Sequence, residues 1–256
     1  MSGASLPFLD MAVARRDLGL GTFIRPHRYF EWAQFAHEQL AGADSVPDPK
    51  LLWVYARHTA RWHKPAGPIS RVRFRTWLVA AKSPSAIREF SADDAETGAR
   101  LFDGQARSVA LDRETMRPAT FQLAVQVTHD GQPQRLIEEA TVPEATEPLG
   151  SFVQHVEADD LDFNQHVNNA TYLRWATNAL HRLQWDPTGP LQPLPFISGC
   201  EIRYLRSLQM GASLRIDIRA VPQPGATRWA LDFVDVSDGR LAAAVTVVAD
   251  EASGAE

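Results

Sequence analysis

Two stretches decide how this chain is read: ARRDLGLGTFIRPHRYFEWAQFAHEQL, from Ala14 to Leu40, and EADDLDFNQHVNNATYLRWATNALHRL, from Glu157 to Leu183. They align without a gap. Asp17 falls with Asp160, Leu18 with Leu161, Tyr29 with Tyr172, Trp32 with Trp175 and Leu40 with Leu183. The residues after each stretch also correspond: a Pro-containing loop (AGADSVPDPK; WDPTGPLQPLP), a β-rich run (LLWVYARHTARW; FISGCEIRYLRS), then two strands around a Gly turn (ETG; SDG). The same order of elements twice marks a duplicated unit.

Within each stretch the apolar residues keep a helical period. Phe30, Ala33, Ala36 and Leu40 share one face in the first copy, and Tyr172, Ala176, Ala179, Leu180 and Leu183 do so in the second. Farther along the period drops to two. Val72, Phe74 and Thr76 alternate with Arg71, Arg73 and Arg75, and Ile202, Tyr204, Ser207 and Leu214 lie in a similar stretch. Each half therefore reads as a strand, one long helix and several antiparallel strands, an α+β unit whose curved sheet wraps the helix. Two copies set edge to edge hide strands whose free backbone would otherwise pair with other chains. The boundary falls in EEATVPEATEPLG, Glu138 to Gly150, giving units 1–140 and 141–256. The tail EASGAE reads as disordered.

Bulk properties narrow the function. With 45% apolar and 22% charged residues, the chain has the composition of a soluble globular protein. A net charge of −5 and a pI near 5.9 lack the basic footprint of a general nucleic-acid binder. Cys200 is the one cysteine, which excludes a disulfide framework and a cysteine-based metal site. The start, MSGASLPFLDMAVARRD, is no secretory signal, and LAAAVTVVA is too short to cross a bilayer. A cytoplasmic location without stable membrane insertion is expected, with no metal and no cofactor.

The densest polar cluster, Asp160 to Asn169, precedes the second helix. On extended backbone Asp162, Asn164 and His166 project from one face, but span roughly 13 Å, so the segment must curl to bring all three to one atom. A carboxylate, an amide and an imidazole can activate water and polarise a carbonyl. Asn168 or Asn169 then sits where free helix N–H groups can stabilise an oxyanion. The bland account is an Asx turn and a helix cap, where Asn and Asp are favoured without any chemistry. Against it, the first half has Gly19, Gly21 and Phe23 at the three positions while its helix still matches.

These residues carry a resemblance. DLDFNQHVNNATYLRW resembles the D-x-D-x-N-x-H-V-N-N-x-x-Y-x-x-W signature of plant and bacterial acyl-acyl-carrier-protein thioesterases, which are double hot-dog proteins. The first half looks similar too, in WVYARHTARWHKPAGPISRVRFRTW, REFSADDAETG and LDRETMRPATF, so the likeness runs from about Val13 to Val248. It implies two tandem hot-dog domains, a degenerate N-terminal one and a catalytic C-terminal one. It also implies hydrolysis of fatty acyl-carrier thioesters by Asp162, Asn164 and His166. The family adds a glutamate two strands later. Framing RYLRSLQMGAS through Tyr204 puts Ser207 there, as a water-positioning hydroxyl, and leaves Glu201 as the nearest carboxylate. Cys200 does not match the cysteine beside that glutamate and reads as core.

The resemblance also implies an acidic acyl carrier protein as partner, with the Arg71, Arg73 and Arg75 face as a docking patch. A solvated strand face is the plainer account of those arginines. Trp32, Trp53, Trp62 and Trp77 read mostly as core, with an acyl-tunnel lining as the alternative. An acyl-CoA thioesterase, a catalytically weak acyl-binding module and an enoyl-thioester hydratase are the rival readings. The hydratases resemble D-x-N-P-x-H, and here no Pro follows Asn164. A homodimer stays open, although the duplication already supplies the usual hot-dog pair within one chain.

Overall fold

The period-two stretch around Val72 and the period-3.6 stretch around Phe30 become strand and helix in the computed structural model, which describes residues 6–20, 22–40, 48–121, 136, 147–222 and 225–250. The first half contributes β1 (Phe8–Ala12), α1 (Pro26–Leu40), β2 (Leu51–Trp62), β3 (Arg71–Lys82), β4 (Ser85–Asp94) and β5 (Arg100–Asp112). The second contributes β6 (Gly150–His155), α2 (Asn169–Gln184), β7 (Ile197–Tyr204), β8 (Ser213–Val221), β9 (Ala226–Asp235) and β10 (Leu241–Asp250). Most of the expected linker Glu138–Gly150 and the tail EASGAE lie outside the described residues.

The strands form one ten-stranded antiparallel sheet in the order β1-β3-β4-β5-β2-β7-β10-β9-β8-β6. Read from either end, this order is the same for the two halves, which is what tandem hot-dog domains require. They join where β2 meets β7, from Arg57 opposite Arg203 to Arg61 opposite Gly199. Two edges that would expose a ladder of unpaired N–H and C=O groups are thus used against each other.

The faces are set by alternation. On β2, His58, Ala60 and Trp62 point to the helices while Arg57, Thr59 and Arg61 point away; on β7, Cys200, Ile202 and Tyr204 match the first set. Tyr29 and Phe30 of α1 pack on Trp62 and Phe102, and Tyr172 and Trp175 of α2 pack on Phe233. Leu173 and Leu180 are fully buried, each contributing about 1.5–3 kcal/mol by leaving water. Trp32 and Trp62 are core, whereas Trp53 and Trp77 are only half-buried. Cys200 is fully buried, and burial pushes its thiol well above its ordinary pKa, so it is core and not nucleophile. No described helix is long and apolar enough to cross a membrane.

Candidate active site

Both helices are preceded by the same device. A 3₁₀ turn (Arg15–Asp17; Ala158–Asp160) ends in a buried aspartate whose carboxylate accepts the N–H three residues earlier, Ala14 or Glu157, at 2.8 Å in each case. An arginine from the next helix neutralises each one, Arg28 on Asp17 and Arg174 on Asp160. Asp17 and Asp160 therefore build the approach to the helices.

Between that turn and α2 the chain makes a tight loop. Leu161 bridges Val167, Asp162 N–H donates to His166 O at 2.8 Å, and Gln165 N–H donates to Asp162 O at 2.9 Å. Gln165 adopts φ 61°, a left-handed conformation that a side chain tolerates only at some cost. The segment is thus not an extended strand with one polar face: Asp162, Asn164 and His166 lie on one tight loop. Asp162 organises it further, because its Oδ1 accepts the N–H groups of Asn164 (2.8 Å) and His166 (3.4 Å). The three residues are all half-buried, while Phe163 stands out at 83% exposure.

Asn168 is the N-cap of α2. Its side chain accepts from Ala170 N–H at 2.9 Å and donates to Gln34 of α1 at 3.4 Å. The cap is therefore Asn168's own role, and Asn169 is the first helical residue, in the turn whose N–H groups have no acceptor within the helix. Its carbonyl accepts from the Tyr204 hydroxyl at 3.2 Å, and that hydroxyl lies 3.1 Å from His58 Nδ1. Because the single Tyr204 proton goes to a carbonyl, His58 Nδ1 must carry the proton of the second bond. Burial lowers the His58 pKa to about 3, which keeps the ring neutral in this relay. Gln34, and His58 through Tyr204, tie the start of α2 to the first half. Sequence reading missed their roles, since only their buried polar character is visible without the pairing of β2 with β7.

Asn169 and Ala170 also border a narrow cavity of about 10 Å³ lined by first-half residues, among them Phe30, Tyr55, His58, Phe90 and Phe102. Gly104 permits this lining, because a Cβ there would meet the Phe102 ring at 2.5 Å.

Ser207 is exposed in the loop after β7, not in a strand, and the next residue, Leu208, accepts the Val167 N–H at 3.0 Å. The loop thus runs alongside the polar cluster. Glu201 is on the sheet face away from the helices and pairs with Arg57 at 2.6 Å, so it is no substitute carboxylate. Arg71 is exposed, but Arg73 pairs with Asp10 at 2.9 Å and Arg75 with Asp93, so two of the three charges on that face are already matched. Among the described residues no group of three or more His, Cys, Asp or Glu is placed to hold a metal ion.

No curated protein matches the chain by sequence. In shape it is similar to a protein assigned as an oleoyl thioesterase from Lactobacillus plantarum, with TM-score 0.77 and 19% identity over 96% of each chain. It is similar to a 12:0-ACP thioesterase from Umbellularia californica (TM-score 0.74, 18% identity, covering 96% of this chain and 98% of that one). It is also similar to an acyl-ACP thioesterase from Bacteroides thetaiotaomicron (TM-score 0.73, 13% identity, 95% and 97% covered). At such identities these likenesses show the fold. Residues 156–249, which contain Asp162, Asn164 and His166, match the model of the Thioesterase-like superfamily, so the chain is a tandem hot-dog protein whose second half carries that superfamily's pattern.

Proposed function

We propose that the chain hydrolyses fatty acyl thioesters, with an acyl carrier protein as the carrier. One observation supports this above the others: the same loop backbone precedes both helices, yet the polar set is present only in the second. In this reading the thioester carbonyl lies at the start of α2, where the Asn169 N–H and the positive end of the helix receive the developing oxyanion. His166 takes a proton from water as that water attacks the carbonyl carbon. Asp162, through its uncommitted oxygen, and Asn164 hold the water and the imidazole in place. The tetrahedral intermediate then expels the thiolate, which His166 reprotonates, leaving a free carboxylic acid.

Carrier docking at Arg71, Arg73 and Arg75 belongs to the same proposal and rests chiefly on Arg71, since Arg73 and Arg75 spend their charge on Asp10 and Asp93. The exposed position of Ser207 and the turned-away Glu201 favour a second reading, a slow acyl-binding hot-dog protein. Assaying acyl-carrier-protein, acyl-CoA and enoyl thioesters side by side separates these. Free-acid release fastest from the carrier protein supports the proposal; release fastest from CoA moves the substrate. Hydration of the enoyl thioester, or no turnover at all, overturns it.

A further inference from the structure

The two helix starts differ in what lies against them. Beside the start of α1 runs a cleft of about 480 Å³, inside the roughly 300–1,000 Å³ range of small-molecule sites. Its floor is apolar, formed by Leu18, Leu20, Phe23, Ile24, Leu194 and Phe196. Phe23, which stands where the second half has His166, meets Phe196 edge-on at 5.3 Å.

Its charge is of one sign. Among the described residues no Asp or Glu lines the cleft, while Arg25 and Arg182 do; both are exposed and neither makes an ion pair there, Arg25 Nε donating to Leu18 O at 2.9 Å. Lys64 adds a third cation, its Nζ 5.9 Å from the Phe23 ring. The His27 pKa falls to about 3, first through burial and then through Arg174, Arg25 and Arg28, which is the signature of a positive local field.

The wall is also short of hydrogen-bond partners. His27 Nδ1, Trp62 Nε1 and His181 Nδ1 are buried without one, and all three residues line this cleft; His27 is 7% and Trp62 5% exposed. Buried polar atoms are paired in the great majority of cases, so three orphans around one cleft need an explanation.

We propose that this cleft is a second, non-catalytic binding site for a fatty carboxylate, with the chain on the apolar floor and the carboxylate at Arg25 and Arg182. A neutral lipid would leave both arginines unmatched, and a small inorganic anion would leave the floor uncovered. Residues of both halves line the cleft and none of Asp162, Asn164 and His166 does, so the assignment stands whether or not the thioesterase reading holds.

Titration of dodecanoate into the full chain by calorimetry, below micelle-forming concentrations, tests this, with dodecanol as the neutral control. Binding to the unaltered chain is expected at least tenfold tighter for dodecanoate than for dodecanol. The double substitution Arg25→Gln and Arg182→Gln should weaken dodecanoate at least tenfold. Asn178→Trp, at an exposed position on α2 that faces the cleft, should block both ligands, and it tests the site without touching its charge. Thermal melts establish that each variant is folded. No dodecanoate binding, equal affinity for dodecanol, or unchanged affinity in both variants would each overturn the assignment; the last would place the ligand elsewhere on the chain.

Discussion

The loops before α1 and α2 are one backbone carrying two sets of side chains. Gly19 N–H reaches Phe23 O at 2.8 Å just as Asp162 N–H reaches His166 O at 2.8 Å. Thr22 and Gln165 share the left-handed turn, with φ of 62° and 61°, and Arg25 N–H and Asn168 N–H bond the carbonyls of Asp17 and Asp160, both at 2.8 Å. Everything the two loops share is architecture: the buried aspartate, the bridge and the turn. What they do not share is Asp162 against Gly19 and His166 against Phe23; Gly21, the counterpart of Asn164, lies outside the described residues. A polar set that the backbone does not need for its own shape is free to do chemistry.

The comparison breaks most visibly in the rate. His166→Ala and Asp162→Asn should each lower turnover by about 10² to 10⁴, the usual contribution of a general base or its partner. Asp162→Asn keeps an oxygen for the Asn164 and His166 N–H groups, so the loop should hold and the melting temperature should barely move. Phe23→Ala, at the matching position of the first loop, should leave turnover within twofold. If Phe23→Ala were as damaging as His166→Ala, the two loops would not divide into architecture and chemistry.

Acid should act at the start of α1, where the matching position of α2 has no titratable side chain. His27 occupies the position matched by Ala170, and its pKa is depressed from 6.5 to about 3. Below pH 6.5 the unfolded chain binds a proton that the folded chain refuses. The stability held above that pH is therefore lost as pH falls toward 3, by at most about 1.4 kcal/mol per pH unit, or about 2 kcal/mol by pH 5. His27→Ala makes the first loop like the second and should flatten the pH dependence of urea unfolding by about one proton. An unchanged slope would mean that His27 titrates freely in the folded protein.

The shared aspartates should behave alike. Asp17→Ala and Asp160→Ala each strand a turn N–H and remove an arginine's buried partner, and each should cost about 1–3 kcal/mol of unfolding free energy. Denaturant melts giving one large and one negligible loss would show that the two approaches are not equivalent.

Much of this was legible because the duplication printed the same pattern twice. The helical faces through Phe30 and Tyr172 follow from period 3.6, and the edge-to-edge join follows from edges that need cover. The local shape at Asp162 was not legible, because nothing in composition announces a left-handed Gln165 or Thr22. Periodicity also placed Arg71, Arg73 and Arg75 on one face without revealing that Asp10 of β1 and Asp93 of β4 neutralise two of them. The relay from His58 through Tyr204 to Asn169 depends on how β2 registers against β7, and that register is a property of the paired sheet. The same holds for Glu201, whose direction is decided by alternation within a strand whose partner lies in the other half.

The smallest expected effect concerns Ser207, for which the first loop offers no counterpart. It sits one residue before Leu208, whose carbonyl accepts the Val167 N–H at 3.0 Å, so its loop and the polar cluster are stitched together by backbone. In our reading its hydroxyl holds the attacking water without acting as a base. A neutral hydrogen bond contributes about 0.5–1.5 kcal/mol net, so Ser207→Ala should lower turnover by less than tenfold and leave the Michaelis constant and the melting temperature nearly unchanged. Ser207→Glu then reads the electrostatics of the site: a carboxylate here either adds a base, raising turnover, or repels Asp162, raising its pKa and moving the acid limb of the pH–rate profile upward. If neither Ser207→Ala nor Ser207→Glu changes rate or pH profile, Ser207 does not reach the water. Catalysis would then rest on the one loop that sets the two halves apart.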